Sequence, residues 1–441
     1  MLKASTASSP TTVAVIGAGA SGMMAALQAA RHGAAVTLFE RNAAVGRKLL
    51  VTGAGRCNIS NDRAAASAYT CADARWMETL LGRFGVQDLI AVLAEIGIPV
   101  YKTADGWYYP LSDSAHTVVN AFSSALTLAD VQLRASAAVS AIRKTSQGFA
   151  VRYVVEGREE EQAYQKVIVS AGGMALPALG SRGELFPVLE GLGHTLLPKR
   201  PALAPLLIDL RSLKPLQGVR LDVGVALWDG PRYLATTAGN LIFTQWGLNG
   251  PAVMDLSHHV SARPSAVLEL SMNFLAFVQP EFDRLLARAR DTEMPISVFL
   301  GAFFPPKAVT TFLRNAGLPS GIALRQVEDS VLQRLTETLR DTRLRVHGVR
   351  GFEYCQVTAG GIPVSEVDPE TMESRLVKGL FLTGETLDVV GPCGGYNLQY
   401  AFSSGAVAGR AAAGSLEHPS GSETSDRRPS KSIHAHGRPK S

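Results

Sequence analysis

The stretch Val13-Ala-Val-Ile-Gly-Ala-Gly-Ala-Ser-Gly22 is an apolar run that ends in a Gly-x-Gly-x-x-Gly turn, and the helix-forming residues 23–31 follow it. In a strand-turn-helix unit, Gly17 permits the tight turn, Gly19 lets the backbone approach a pyrophosphate, and Gly22 lets the helix pack close to the sheet. The helix N-terminus then offers free N–H groups to phosphates. The stretch therefore predicts a dinucleotide site on a parallel α/β sheet.

A second apolar strand, residues 35–39, ends in Glu40, eighteen residues after Gly22. A carboxylate at this distance is placed to hydrogen-bond both ribose hydroxyls of an adenosine, and an acid there disfavours a 2′-phosphate. The alternative is an ordinary parallel-sheet turn that carries a surface glutamate. Together with the glycines, Glu40 favours the nucleotide site.

Four further segments indicate which dinucleotide is bound. Residues 46–61 are glycine-rich and doubly basic, which a nicotinamide enzyme does not need so close to its first strand and helix. Residues 167–173 and 377–385 read as apolar strands that end in glycines or an acid, and residues 394–405 open a helix of small residues. This combination favours a flavoprotein.

With these motifs the sequence resembles the flavoproteins with two dinucleotide folds, specifically the HI0933-like, or BaiN-like, family of bacterial FAD proteins. The resemblance runs from about Val13 to Ala412, and the Gly-Arg-Cys-Asn and Gly-Gly-Tyr-Asn-Leu-Gln segments are its most specific parts. It implies an α/β fold in which a Rossmann-like FAD-binding domain carries an inserted antiparallel β-barrel-like domain. That domain in turn carries a small helical insert.

The pattern of the chain agrees with this order. Short apolar alternations such as residues 221–227 predict an antiparallel β-domain, and the apolar spacing between residues 280 and 339 is helical. We divide the chain as follows: a flexible N-terminus (1–12), an FAD-binding domain (13–192 and 350–413), a β-domain (193–277 and 340–349), a helical insert (278–339) and a disordered tail (414–441).

Composition excludes several other classes of protein. The 441 residues are 46% hydrophobic and 18% charged, and no uninterrupted apolar run approaches the ~20 residues that a membrane helix needs. The first residues are polar and lack the apolar core of a signal peptide, so we expect a cytoplasmic protein. The four cysteines show no Cys-x-x-Cys spacing, which argues against a disulfide framework or a zinc site.

The net charge of +5 is modest, and the tail from residue 416 onwards carries five Lys or Arg against three Asp or Glu. This segment, rich in Ser, Pro, Gly and His, has little to bury. Its basic side chains could contact nucleic acid, or they could simply favour solubility, and the second reading is the simpler one.

Each part of FAD has candidate residues. Arg41 would flank the adenine, main-chain groups of Val139 would hold the adenine edge, and Arg47 with Lys48 would neutralise phosphate charge. A solvated surface charge is the alternative for Lys48. The full set is Gly17, Gly19, Ala20, Ser21, Gly22, Glu40, Arg41, Gly46, Arg47, Lys48, Arg56, Cys57, Asn58, Val139, Ala171, Gly172, Gly384, Glu385, Gly395, Tyr396 and Asn397.

At the flavin end, Gly384-Glu385 resembles a Gly-Asp pair that binds the ribityl chain in related folds, although its acid is one methylene longer. The helix that opens at residues 395–397 should direct its N-terminus at the pyrimidine edge of the flavin and favour the anionic reduced form.

For proton transfer we consider Cys57, which the resemblance places on a loop under the flavin ring, and Cys393. A thiol near a positive helix end has a lowered pKa, although a buried packing cysteine is the common case. Tyr109 and Tyr396 are alternative acids. Trp107 stands where members of the resembled family often carry arginine, so one substrate contact is in doubt.

The resemblance implies an FAD-dependent oxidoreductase. We expect an NAD(P)H-driven reductase of a conjugated carbon–carbon double bond, in which reduced flavin passes hydride to the β-carbon and a nearby acid protonates the α-carbon. The alternatives are a ribosomal RNA dihydrouridine synthase and a flavin-dependent amine oxidase. The expected partner is thus a small-molecule substrate or ribosomal RNA, with no membrane and no metal, and the oligomeric state is left open.

Overall fold

The computed structural model describes residues 10–414, so most of the predicted flexible N-terminus and the predicted tail lie outside the described residues. Its strands are β1 (Thr12–Ile16), β2 (Ala35–Phe39), β3 (Ser60–Asn61), β4 (Thr70–Cys71), β5 (Val100–Lys102), β6 (Trp107–Pro110), β7 (Gln132–Arg134), β8 (Ala137–Thr145), β9 (Gly148–Val155), β10 (Arg158–Tyr164), β11 (Lys166–Val169), β12 (Leu197–Ala202), β13 (Leu206–Ile208), β14 (Arg220–Asp229), β15 (Arg232–Thr244), β16 (Gly247–Asn249), β17 (Leu268–Asn273), β18 (Thr342–Val349), β19 (Val357–Gly361), β20 (Leu380–Leu382) and β21 (Val389–Val390).

The α-helices lie between these strands and at the C-terminal end of the described chain. They are α1 (Ala20–Arg31), α2 (Arg47–Leu50), α3 (Ala74–Arg83), α4 (Val86–Glu95), α5 (Ala115–Leu128), α6 (Phe186–Gly191), α7 (Pro251–Met254), α8 (Ser257–Ser261), α9 (Gln279–Ala289), α10 (Ile296–Gly301), α11 (Pro306–Ala316), α12 (Asp329–Arg340) and α13 (Tyr396–Ala413).

A five-stranded parallel sheet in the order β20-β11-β1-β2-β7 forms the centre of the FAD-binding part. Its central strands are almost continuously apolar and buried, as parallel strands covered on both faces require. Because the strands run in one direction, their carboxyl ends meet at a single edge. That edge brings together Gly17, Glu40, Ser170 and Thr383, which are far apart in the sequence.

Helices α1 and α13 pack side by side against this sheet, and glycines allow them to approach closely. A Cβ at Gly405 would lie 2.2 Å from the carbonyl oxygen of Ser21, and one at Gly409 would lie 2.3 Å from that of Ala25. The small residues that the sequence places in α13 therefore serve helix packing, which brings the N-terminus of α13 to the same edge of the sheet as that of α1.

The predicted barrel is confirmed: strands β13, β16, β15, β14, β17 and β18 form a closed antiparallel barrel. Alternate residues of β14, such as Leu221, Val223 and Val225, are buried in it, while Arg220 and Asp222 point outward. Helices α9 to α12 share the barrel's hydrophobic core, where the Phe274 ring lies 4.9 Å from that of Phe312. The fold class is thus the predicted one.

Some residues assigned to the β-domain pair elsewhere. Strand β12 pairs with β19 rather than with a barrel strand, and the barrel's strands begin with β13 at Leu206. His194, also assigned to the β-domain, hydrogen-bonds to Glu366 at 2.7 Å. We therefore propose that the domain boundary lies nearer Leu206 than residue 193. Within residues 10–414, no helix combines the length and apolarity needed to cross a membrane.

Candidate functional site

A cavity of about 1120 Å³ lies where the carboxyl edge of the parallel sheet faces the barrel. Tyr109, Trp107 and Cys393 also line it. The predicted cofactor residues that line it are Gly17, Gly19, Ala20, Ser21, Glu40, Arg41, Gly46, Arg47, Lys48, Arg56, Asn58, Val139, Ala171, Gly172, Glu385, Gly395 and Asn397. Those that do not line it are Gly22, Cys57, Gly384 and Tyr396.

The first glycine turn has the geometry that its sequence predicts. Gly17 has φ +100°, and a Cβ at Gly22 would lie 1.8 Å from the carbonyl oxygen of Gly17. At Gly19, by contrast, a Cβ would meet no atom within 4 Å, because this position faces the open cavity. Gly22 therefore serves packing of α1 on β1, and Gly19 leaves room for a phosphate.

Gly384 serves the same turn from outside the cavity. It has φ +58°, and a Cβ there would lie 2.8 Å from the hydroxyl oxygen of Ser21. Its N–H donates to Ser404 Oγ on α13 at 3.0 Å. Gly384 is thus a point of close approach behind the glycine turn rather than a direct cavity contact.

Glu40 is held in place by its own neighbours. Its Oε2 accepts from the Ala18 N–H at 3.0 Å, and its Oε1 accepts from Asn42 N and Nδ2 at 2.8 and 2.6 Å. The side chain is buried at the cavity wall. The carboxylate is therefore oriented before any ribose hydroxyl approaches it. Asn42 also accepts from Arg47 Nη1 at 2.7 Å.

Lys48 and Glu385 form an ion pair across the cavity wall. Lys48 Nζ lies 2.5 Å from Glu385 Oε2, while Glu385 Oε1 accepts from the Thr358 N–H at 2.9 Å. The two side chains are 27% and 15% exposed. Lys48 is therefore not a solvated surface charge. Its positive charge is paired with Glu385, whose side chain is one methylene longer than the aspartate of the related folds.

At the adenine end, a bulge interrupts strand β8. Val139 pairs with Tyr153 and Ala141 pairs with Arg152, which leaves Ser140 without a partner residue. Val139 lines the cavity beside this irregularity. Arg41 lines it as well and forms an ion pair with Glu184.

The loop of residues 52–58 has an unusual backbone, which explains where its side chains point. Ala54 and Cys57 adopt left-handed conformations, with φ of 56° and 61°. Arg56 and Asn58 line the cavity on either side of Cys57, whose side chain is fully buried. Residues other than glycine in this conformation concentrate at functional sites.

The expectation of a lowered cysteine pKa is wrong. Burial raises the pKa of the Cys57 thiol to about 11 and raises that of Cys393 well above its ordinary value. In both cases burial is the largest cause, because it removes water from around the charged thiolate. Cys57 is also turned away from the cavity, so we do not retain it as the proton donor.

Aromatic side chains form the wall beside this loop. The Arg56 guanidinium lies 4.6 Å from the centre of the Tyr109 ring, and the Tyr101 ring stacks on Tyr109 at 5.9 Å. Burial raises the pKa of Tyr109, while the charge of Arg56 acts in the opposite direction. Trp107 packs against Gly394, where a Cβ would lie 3.0 Å from the indole.

Helix α13 begins at the opposite wall. Gly395, its N-cap, has φ +96°, and no acidic residue lies in the first turn. Asn397 donates to the Gly391 carbonyl at 2.8 Å and accepts from the Gly391 N–H at 2.8 Å, so it braces the loop before the helix. Tyr396 packs edge-on against Tyr69 and does not line the cavity, although the sequence suggested it as an alternative acid.

These residues fit FAD. Two helix N-termini, those of α1 and α13, reach one cavity, and the position of Gly19 leaves open space at the first of them. Near the second, Asn58 lines the cavity, and its buried Oδ1 has no hydrogen-bond partner among the described residues. Such an orphaned acceptor is expected where a bound group donates to it.

Sequence reasoning missed several residues at this site. Asn42 had a local signal, since an amide two residues after Glu40 can cap its carboxylate. Pro251, Met254 and Arg220 reach the cavity from the barrel, and Asp255 reaches the loop before α13. No local pattern marks these four residues, because their role depends on how the barrel sits on the sheet.

The family model described as HI0933-like protein Rossmann domain matches residues 11–411. The chain belongs to this family. A relative from Clostridium scindens, described as 3-dehydro-bile acid delta(4,6)-reductase, is 33% identical over 91% of this chain and 98% of its own length. A relative from Haemophilus influenzae, described as ribosomal RNA dihydrouridine synthase, is 27% identical over 88% and 95% of the two chains.

Among solved structures, the fold is similar to that of a 3-ketosteroid-delta4-(5alpha)-dehydrogenase from Rhodococcus jostii. The TM-score is 0.50 at 14% identity, and the match covers 93% of this chain and 98% of the other. This likeness supports the fold alone. Family membership and the geometry of the cavity identify the protein as an FAD-dependent oxidoreductase, as its sequence predicted.

Proposed function

We propose that this protein reduces a carbon–carbon double bond conjugated to a carbonyl in a small molecule, with NAD(P)H as the source of electrons. FAD supplies the hydride-transfer chemistry when it is bound. The observation that carries the proposal is that Tyr109, Arg56 and Trp107 line the same cavity as the barrel residues and the N-terminus of α13. The C. scindens relative is named as a reductase of this type.

Tyr109 is the proposed proton donor. Tyr109 is only 2% exposed, and burial moves its pKa further above the usual value for tyrosine, so the phenol is protonated at neutral pH. Its hydroxyl oxygen accepts from Arg56 Nη2 at 3.4 Å, a long contact in which a substrate carbonyl oxygen could replace the hydroxyl as the acceptor. A neutral phenol in this position can protonate the α-carbon of the substrate.

Arg56 is the proposed carbonyl-binding residue. Its guanidinium is held over the Tyr109 ring and carries several N–H donors in a fixed plane. Hydrogen bonds from these donors to the carbonyl oxygen would stabilise the negative charge that develops there when the double bond is reduced. The apolar residues Leu203, Pro251 and Met254 line the same cavity and would limit access of water to a bound substrate.

Anaerobic turnover tests the reaction and the role of Tyr109 together. FAD-loaded protein reduced with NADH or NADPH should be reoxidised by a 3-keto-4-ene steroid, with the saturated ketone identified by mass spectrometry. Tyr109→Phe should lower kcat by roughly 10²- to 10⁴-fold, the usual contribution of a positioned acid. Tyr101→Phe is the matched control, because Tyr101 stacks on Tyr109 but bonds to Asp113 outside the cavity.

Other outcomes would contradict the proposal. Failure of every enone to reoxidise the flavin, together with dihydrouridine formation in ribosomal RNA, would favour the activity named for the H. influenzae relative. Rapid reaction with oxygen and an amine would favour an oxidase. Reduction by neither NADH nor NADPH would mean that another donor supplies the electrons. A cytoplasmic location remains part of this proposal.

A further inference from the structure

Asp255, directly after helix α7, is a carboxylate that connects the barrel to the loop before α13. Its Oδ1 accepts a hydrogen bond from the backbone N–H of Cys393 at 2.7 Å, across 138 residues of sequence. The Cys393 thiol and N–H both act to lower the pKa of this carboxyl, against the larger effect of burial. Cys393 itself lines the cavity, whereas Asp255 lies behind it.

The environment of Asp255 makes this hydrogen bond important. Burial raises the pKa of its carboxyl to about 6, and no Lys or Arg forms a salt bridge with it among residues 10–414. A carboxylate that is partly removed from water is destabilised unless hydrogen bonds satisfy it. The Cys393 N–H is the partner that offsets part of this cost, so the carboxylate and the loop hold one another in place.

The loop that Asp255 contacts contains the turn into α13. Gly394 and Gly395 both have left-handed backbones, with φ of +107° and +96°, and a Cβ at Gly395 would lie 2.4 Å from the Ser60 carbonyl oxygen. Asn397 fixes the start of the loop, and Asn61 Nδ2 donates to the Gly394 carbonyl at 3.0 Å. These contacts come from the FAD-binding part of the chain.

Asp255 adds a contact from the barrel. Helix α7 also supplies Pro251 and Met254 to the cavity, with Gly250 immediately before it. The same short segment therefore carries part of the barrel wall of the cavity and the acceptor for the Cys393 N–H. A shift of this segment would move the wall and the start of α13 together.

We infer that Asp255 is a positioning residue that holds the turn at Cys393–Gly395, and with it the N-terminus of α13, in register with the barrel wall of the cavity. It acts through the backbone of Cys393 and does not transfer a proton to the substrate. This inference adds a positioning residue to the proposed function. Only the turnover measurements that test it depend on the proposed function. The position of the loop can be measured without any substrate.

The test compares Asp255→Ala with Asp255→Asn in the full-length, FAD-loaded protein. Asparagine keeps an oxygen that can accept from the Cys393 N–H, whereas alanine removes the acceptor. Hydrogen exchange followed by mass spectrometry should show faster exchange across residues 391–397 in Asp255→Ala. The visible circular dichroism of the flavin and its midpoint potential should change in the same variant.

Asp255→Asn should stay close to wild type in all three measurements. Asp222→Ala is the matched control: Asp222 is an exposed carboxylate whose partner, Asn240, belongs to the same barrel, and it should change none of them. In enone turnover, Asp255→Ala should raise KM and lower kcat by about tenfold or more, and Asp255→Asn should recover most of that loss.

Each outcome decides the inference. Unchanged exchange, dichroism and potential in Asp255→Ala would overturn it, whether or not enones are substrates. An Asp255→Asn variant that loses turnover as fully as Asp255→Ala, with normal exchange, would assign proton transfer to Asp255 and also overturn it. If Asp255→Ala does not fold, Asp255→Asn with wild-type exchange across residues 391–397 supports the inference, and faster exchange there contradicts it.

Discussion

The two ends of the cavity are built differently. At the end where we propose that the pyrophosphate and ribose bind, the key groups come from residues 17–22 and 40–42, and they position one another through direct contacts such as Ala18 N to Glu40. At the other end, which we propose as the flavin end, the cavity is lined by Arg56, Tyr109, Met254 and Cys393 from four distant parts of the chain. The first end is a local motif, and the second is a product of assembly.

This contrast has consequences for substitution. Damage to the local motif should weaken or abolish FAD binding, because its glycines and Glu40 are the residues proposed to contact the pyrophosphate and the ribose. Damage to the assembled wall should leave FAD bound and alter the chemistry or the substrate. The predictions below test this distinction.

The largest effect is expected at Gly22. In Gly22→Ala the new methyl group would lie 1.8 Å from the backbone carbonyl of Gly17, which cannot move without displacing β1 or α1. We expect little folded, FAD-containing protein, measured as the yield of soluble protein and its ratio of flavin to protein absorbance.

Gly19→Ala is the comparison for Gly22→Ala. Its methyl group meets no protein atom within 4 Å, so the chain should fold while FAD binds less tightly. Equal behaviour of the two variants would contradict the division between packing and phosphate approach.

Next comes Glu40→Gln, which removes the charged partner of the ribose but keeps the shape of the side chain. Hydrogen bonds to charged groups contribute about 1.5–3 kcal/mol, so the Kd for FAD should rise roughly 10- to 150-fold. Fluorescence titration of the protein freed of flavin measures this. Glu159→Gln, on the exposed strand β10, should bind FAD as wild type does. Unchanged affinity in Glu40→Gln would mean that the ribose lies elsewhere.

A pH-dependent effect on folding stability, only part of which changes between about pH 5 and about pH 7.5, is expected at Asp255. Its pKa is raised from 3.8 to about 6, so the folded state binds this proton more tightly than the unfolded state does. The charged carboxylate therefore lowers the free energy of unfolding by about 3 kcal/mol above pH 6. This loss of stability shrinks as the pH falls through 6 and vanishes below 3.8.

The matching experiment uses Asp255→Asn, which does not titrate. The thermal midpoint of Asp255→Asn minus that of wild type should be larger at about pH 7.5 than at about pH 5, as measured by circular dichroism. A constant difference between the two proteins at both pH values would contradict burial as the cause of the raised pKa.

The smallest effect is expected at Cys57, although it lies within the most specific sequence motif. Its thiol is fully buried and turned away from the cavity. Cys57→Ala should therefore change kcat by no more than about twofold and destabilise the protein by about 1 kcal/mol, as loss of a small buried group does. A loss of turnover comparable to that of Tyr109→Phe would restore Cys57 as the acid.

The sequence alone determined the fold class, the cofactor and the local half of the site. Residues 13–22 predict their own geometry because steric rules for glycine act over a few bonds, and Glu40 lies one strand away from them. The alternation in β14 likewise predicts a barrel strand. These inferences succeed because each depends on residues within a single strand or within one strand-helix-strand unit of the chain.

Only the tertiary structure decided which side chains face the flavin end. A left-handed backbone at Cys57 turns its thiol away from the cavity that its two neighbours line. Tyr396 packs against Tyr69 and so does not line the cavity. Lys48 forms an ion pair with Glu385, which is 337 residues further along the chain. Asp255 gains its partner only because α7 of the barrel lies beside Cys393. No local pattern encodes such contacts, since they arise when separate elements are packed together, and burial then resets the pKa values of the groups involved.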